Sequence, residues 1–171
     1  FQMDKPVEKL LKNKKLYTLI DKFTEVDLHP DVVDNHTMGQ IFEELLRRFS
    51  EMSNETSGEH YTPRDIVKLL VSLVFSENQE NLQGEGIIRS IFDPCCGTGG
   101  MLTIGKEWVL ENVSDKIRFN LSGQELNPQT FSICKSDFLI TGEDPNKIKL
   151  GSSLSDDNFE GKKFDYMITN P

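Results

Sequence analysis

The sequence predicts an α/β fold, a parallel sheet flanked by helices and preceded by a small helical region. Two patterns carry that expectation. From residue 87 onward, short β-branched or apolar runs alternate with segments of helical spacing, as parallel strands joined by crossover helices require. Earlier in the chain the apolar residues recur at three- and four-residue intervals, the period of one helix face. At 171 residues, with 36% hydrophobic and 27% charged content, the chain is long enough for one core with a helical appendage and is not disordered.

The elements follow in order. Val7 to Phe23 is expected to be helical and Thr24 to Thr37 irregular, because Pro30 and a set of acids interrupt the pattern. Met38, Ile41, Phe42, Leu45, Leu46, Phe49 and Met52 then place one apolar face on a helix of about four turns. Glu51 to Glu59 is a polar connector, so the chain divides into a helical N-terminal region, residues 1–57, and a second part, residues 58–171. Thr62 reads as an N-cap, Pro63 suits the first helical turn, and Asp65 completes a capping box. Ile66, Val67, Leu70, Val71 and Val74 follow on one face of that helix.

A strand from Ile87 to Ile91 leads into Phe92-Asp93-Pro94-Cys95-Cys96-Gly97-Thr98-Gly99-Gly100. Met101, Ile104, Trp108 and Val109 then mark a helix ending near Asn112. Ile117 to Gln124 is the second strand, Pro128 to Ile140 the next helix, Lys149 to Leu154 a third strand and Phe164 to Thr169 a fourth. Ligands of such sheets bind at the carboxyl ends of the strands, where the loop at 93–100 falls.

That loop is a strand ending in an acid, a turn too crowded for side chains, and a helix whose free N–H groups face the turn, a combination that suits a polar or anionic cofactor. A dinucleotide fingerprint starting at Gly97 would need glycine where Leu102 stands, and no G-K-[ST] follows to make a P-loop. A plain strand-to-helix turn is the competing reading of the glycines taken alone. Glu125 ends the next strand, where a carboxylate can accept hydrogen bonds from both hydroxyls of a ribose. Asp93 is expected beneath the ligand, satisfying loop amides. Cys95 and Cys96 read as packing residues, since neither has a base adjacent in sequence.

Charge narrows the function classes. The net value is −9, with ten basic against thirteen acidic residues up to Phe75 and nine against fifteen beyond it. Neither half is a basic patch, so these residues alone are expected to hold duplex DNA poorly. Lys12, Lys14 and Lys15 read as a solvated helix face. No apolar run approaches the ~20 residues of a membrane span and no cleavable signal is visible, which points to a cytoplasmic protein without a membrane partner. Three cysteines, two of them adjacent, fit neither a disulfide framework nor a C-x-x-C site, and no metal is expected.

Four segments together resemble a known family. Gly58-Glu59-His60-Tyr61-Thr62-Pro63-Arg64, Asp93-Pro94-Cys95-Cys96-Gly97-Thr98-Gly99-Gly100-Met101-Leu102, Gly123-Gln124-Glu125-Leu126-Asn127-Pro128 and Asn170-Pro171 occur in the order used by S-adenosylmethionine-dependent DNA methyltransferases that act on an exocyclic amine. With Gly151-Ser152-Ser153-Leu154-Ser155, the wording resembles the modification subunit of type I restriction-modification systems, an adenine-N6 DNA methyltransferase. The resemblance runs from about Gly39 to Pro171. It implies a Rossmann-like core cut short at the catalytic Asn-Pro, and specificity and restriction subunits as partners through which the full-length complex meets DNA.

The same resemblance implies roles. S-adenosylmethionine would lie against Glu59, His60, Tyr61, Thr62, Pro63 and Arg64 at a helix start, against Gly97, Thr98, Gly99 and Gly100 of the loop, and against Asp93, Glu125 and Ser152. Ser152 departs from the family, which commonly places an acid or amide there to meet the cofactor's adenine. Asn170 and the Pro171 carbonyl would accept hydrogen bonds from the target amine, freeing its delocalised lone pair for attack, on a base swung out of the duplex. The 171 residues by themselves are expected to be inactive. Two other readings stay open: a methyltransferase of a protein or small-molecule amine, and a non-catalytic interaction module.

Overall fold

A computed structural model of the chain describes residues 4–34, 37–42, 44–45, 48, 62–77 and 79–171. Two short helices lead, α1 (Asp4–Lys12) and α2 (Leu16–Thr24), in place of the single helix expected over Val7 to Phe23. The break is built on Lys14, whose φ of 54° is left-handed. The Lys14 amide reaches the Leu11 carbonyl at 3.0 Å and the Lys15 amide reaches the Leu10 carbonyl at 2.9 Å, which satisfies the last carbonyls of α1. A lysine at a position that favours glycine leaves no sequence signal. Residues 37–42 are again helical, in line with the helix expected from Met38. Its later positions Leu46, Phe49 and Met52, and the connector at 51–59, lie outside the described residues.

α3 (Arg64–Ser76) starts without the expected cap. Pro63, at φ −54° and ψ 134°, is the N-cap residue, and no side chain caps the helix. Its carbonyl accepts the Ile66 and Val67 amides at 2.9 and 3.1 Å. With the helix beginning one residue later, Asp65 is a position short of a capping box, and the Thr62 hydroxyl is used elsewhere.

The sheet comprises β1 (Ile88–Asp93), β2 (Arg118–Glu125), β3 (Ile148–Leu150) and β4 (Tyr166–Met167), with α4 (Gly100–Asn112) and α5 (Pro128–Ile140) as crossovers. The order is β3-β2-β1-β4 and every pairing is parallel. This is the expected α/β class. Two strands are shorter than expected. β3 stops at Leu150 because the chain turns at Gly151, and β4 pairs only at Tyr166 and Met167. Phe164, expected in that strand, instead stacks on Phe92 with centroids 4.5 Å apart and planes at 12°.

The core lies between α3, α4, α5 and one face of the sheet. Val67, Val71 and Phe75 of α3, Leu102 and Val109 of α4, and Cys134 and Phe138 of α5 are all buried with Ile91 of β1 and Ile148 of β3. Phe75 meets Tyr166 of β4 at 4.7 Å between ring centres, which seats α3 over the β1–β4 junction. Register then aligns the strand ends: Asp93 pairs with Gly123, and Glu125 with Leu150. The chain leaves β1 toward β2 on one side and returns to β4 on the other, so a topological switch point opens above the β1–β4 pair, where sheets of this type hold ligands.

Candidate functional site

A cavity of about 720 Å³ opens at the carboxyl ends of the strands. Its floor is the glycine loop, and the loop's amides are tied down from two strands. Cys95 N donates to Asp93 Oδ1 at 3.0 Å, Cys96 N to the Gln124 carbonyl at 3.0 Å, and Gly97 N to Glu125 Oε2 at 2.9 Å. Glu125 Oε1 accepts the Asn127 amide at 2.7 Å. One carboxylate thus couples the loop after β1 to the turn after β2, and it lines the cavity.

The glycines divide by what a side chain would meet. An added Cβ at Gly97 or Gly100 would meet nothing within 4 Å, and both residues line the cavity with Thr98. At Gly99 the φ is 92°, and a Cβ would come 2.8 Å from Cys134 Sγ and 3.3 Å from Phe138 of α5. Gly99 does not line the cavity. The absence of a side chain on this glycine lets the loop and α4 approach α5.

Asp93 is 2% exposed. Burial pushes its carboxyl up from 3.8 to about 6, while the Cys95 amide and the Thr169 side chain pull it down and the Glu125 charge pushes it up again. Thr169 Oγ1 is itself buried with no partner at hydrogen-bonding geometry. On the α5 side, Cys96 Sγ lies 4.0 Å from Cys134 Sγ, and that thiol and burial hold Cys96 protonated, far above the ordinary thiol range. Such a thiol packs and does not attack.

The remaining expected residues fall as follows. Thr62, Arg64, Ser152, Asn170 and Pro171 line the cavity with Asp93 and Glu125. Arg64 pairs with Glu107 of α4 at 3.5 Å. Pro63 shapes the start of α3 and is not part of the lining. Glu59, His60 and Tyr61 lie outside the described residues. Asn170 Nδ2 donates to Thr62 Oγ1 at 3.2 Å, joining the first and last of the recognised segments.

Sequence reading missed four contributors. Leu126 and Leu154, 68% and 100% exposed, face the cavity from the turns after β2 and β3. Apolar residues inside otherwise polar turns were the available signal. Gln124, fully buried, donates through Nε2 to the Asp156 carbonyl at 2.7 Å and accepts the Asn158 amide at 3.1 Å, which fixes the 151–158 turn beside the cavity. Asp156 and Asp157 serve that turn and do not line the cavity. Asn127 caps α5, its Oδ1 accepting the Gln129 and Thr130 amides at 2.8 and 3.2 Å. Among the described residues no group of three or more His, Cys, Asp or Glu could hold a metal ion, and no helix is long and apolar enough to cross a membrane.

The N-6 DNA Methylase family model matches residues 33–171. Over 161 residues the chain is 30% identical to the type I restriction enzyme MjaIX methylase subunit of Methanocaldococcus jannaschii, spanning 94% of this chain and 27% of that one. It is 27% identical to the HindI methylase subunit of Haemophilus influenzae over 78% of this chain and 28% of that protein. The chain therefore spans about a quarter of the length of these relatives. Among solved structures, the type I restriction-modification system methyltransferase subunit from Streptococcus thermophilus superposes with a TM-score of 0.69 at 22% identity, over 93% of this chain and 32% of its own.

Proposed function

This chain belongs to the N-6 DNA methylase family, and from that premise we propose that it is the cofactor-binding part of an adenine-N6 DNA methyltransferase of the type I restriction-modification kind. One observation supports the cofactor half of this reading above the others. Glu125, at the end of β2, sits across an open glycine floor from Asp93, with no side chain between Gly97 and Gly100 and the cavity.

The cavity fits S-adenosylmethionine. Glu125 offers a carboxylate to a ribose while its lone pairs also take the Gly97 and Asn127 amides. Leu126 and Leu154 offer apolar surface for an adenine, and the Ser152 hydroxyl lines the same cavity. Asp93 offers negative charge beneath a sulfonium, with the Thr169 side chain beside it favouring the ionised carboxyl. Arg64 and the start of α3 suit an amino-acid carboxylate. Bound there, S-adenosylmethionine supplies an electrophilic methyl group. Asn170 Oδ1 and the Pro171 carbonyl then serve as acceptors for the two N–H bonds of an adenine amine, drawing its nitrogen toward tetrahedral geometry. The base reaches them by leaving the helix stack.

The partners belong to the same proposal: duplex DNA, reached through a complex with specificity and restriction subunits, in the cytoplasm. The net charge of −9 supports a division of labour in which other surfaces hold the DNA. A boundary near residue 57 between a helical lead and the cofactor part is proposed with it, although Gly39 and Gln40 reach the cavity edge from the lead. Calorimetric titration of the chain with S-adenosylmethionine tests the reading. Saturable binding is expected, and absence of binding by the folded chain would leave an interaction module as the better account.

A further inference from the structure

The Asn170–Thr62 hydrogen bond spans 108 positions of sequence, from the segment entering α3 to the segment leaving β4. Both residues line the cavity. A carboxamide has one donor end and one acceptor end, and only the oxygen can accept a proton-bearing amine. Left alone, the group can present either end. With Nδ2 donating to the Thr62 hydroxyl oxygen, Oδ1 is left on the side away from that anchor.

Thr62 is suited to the task by what it does not do. It precedes Pro63, which restricts its backbone to extended conformations and so fixes the direction of its side chain. The helix behind it is not capped by any side chain, which leaves the hydroxyl free of that duty. We propose that Thr62 is a positioning residue for methyl transfer: its hydroxyl holds the Asn170 carboxamide with Oδ1 presented to the substrate amine. The inference rests on the reading of Asn170 as the amine's acceptor.

The test is a mutant cycle in the full-length methylase carrying this chain, assembled with its partner subunits. Single-turnover transfer from labelled S-adenosylmethionine to cognate duplex is measured at saturating cofactor, so that cofactor affinity does not enter the rate. Thr62→Val should slow transfer about 10-fold, the worth of one hydrogen bond, and Thr62→Ser should recover most of that rate. Because Thr62 acts through Asn170, Thr62→Val combined with Asn170→Ala should be no slower than Asn170→Ala alone. A wild-type rate for Thr62→Val, or a double variant slower by the product of the two effects, overturns the proposal while leaving Asn170 catalytic. A wild-type rate for Asn170→Ala overturns the underlying reading instead. Circular dichroism checks folding, and Thr62→Ala takes the place of valine in the same cycle if Thr62→Val unfolds.

Discussion

Glu125 Oε2 accepts the Gly97 amide at 2.9 Å, so the acid at the end of β2 and the glycine loop after β1 are one unit. Removing the acid takes a carboxylate from the cavity wall and releases the loop floor together. Glu125→Ala is expected to weaken S-adenosylmethionine binding by ~1.5–3 kcal/mol, the range for hydrogen bonds to a charged group. Glu125→Gln keeps an oxygen for Gly97 and should lose less. Calorimetry on the two variants decides, and equal affinity in Glu125→Ala and wild type would remove this residue from the site.

The two left-handed glycines of the loop after β1, Gly97 and Gly99, should separate stability from binding. Gly99→Ala brings a Cβ to 2.8 Å from Cys134 Sγ at a φ of 92°, and overpacking of this kind costs about 1–3 kcal/mol before the backbone strain is added. Its melting temperature should fall, and Cys134→Ala in the same chain should recover part of the loss. Gly97→Ala, at φ 55° with open space around the new Cβ, should cost only about 1–2 kcal/mol of stability yet weaken cofactor binding. Thermal melts beside titrations check the contrast, which reverses if Gly99 is the ligand-facing residue.

Asp93 should give the chain a pH signature. Its carboxyl is raised from 3.8 to about 6 when folded, so between those values the folded state holds more proton than the unfolded one and stability falls as pH rises. The cost is absent below about pH 4 and complete above about pH 6, at roughly 3 kcal/mol. The stability difference between wild type and Asp93→Asn, followed by denaturant titration from pH 4 to 7, should therefore shift against the wild type as pH rises. A sulfonium favours the ionised carboxyl, so affinity for S-adenosylmethionine should increase through pH 6, whereas S-adenosylhomocysteine, whose sulfur carries no charge, should show a flatter profile. Parallel profiles for the two ligands would separate Asp93 from the sulfonium.

Asn170→Ala in the full-length methylase should retain cofactor binding and lose turnover by ~100-fold or more, as for a polar group acting chiefly in the transition state. Equilibrium binding and single-turnover rates on the same preparation check both halves. Near-normal turnover would end the catalytic assignment.

Legibility in the sequence followed locality. The glycine floor, Asp93 and Glu125 were readable because strand ends, turns and acids are written in neighbouring residues. The role of Gly99 was not, since the atoms that forbid a side chain there belong to Cys134 and Phe138 on α5. Thr62 offered a good local capping pattern and the tertiary contact with Asn170 took its hydroxyl instead. Lys14 ends α1 in a conformation its residue type disfavours, so the break between α1 and α2 had no composition cue. Gln124 looked like a strand residue and proved to be the buried clamp of the 151–158 turn.

The strand order carries a consequence for how the molecule comes together. The Gly97–Glu125 tie closes across 28 positions, whereas the Ser90–Asp165 bond that secures the β4 side of β1 closes across 75. Closing the longer loop costs only about 0.9 kcal/mol more in chain entropy. Entropy therefore hardly ranks the two events, and the order in which residues leave the ribosome does. Pulse-labelled hydrogen exchange on stalled nascent chains should find the β2 amides protected while those near β4 are still free. The Gly97–Glu125 side of the cavity is then in place before the Asn170 side has left the ribosome.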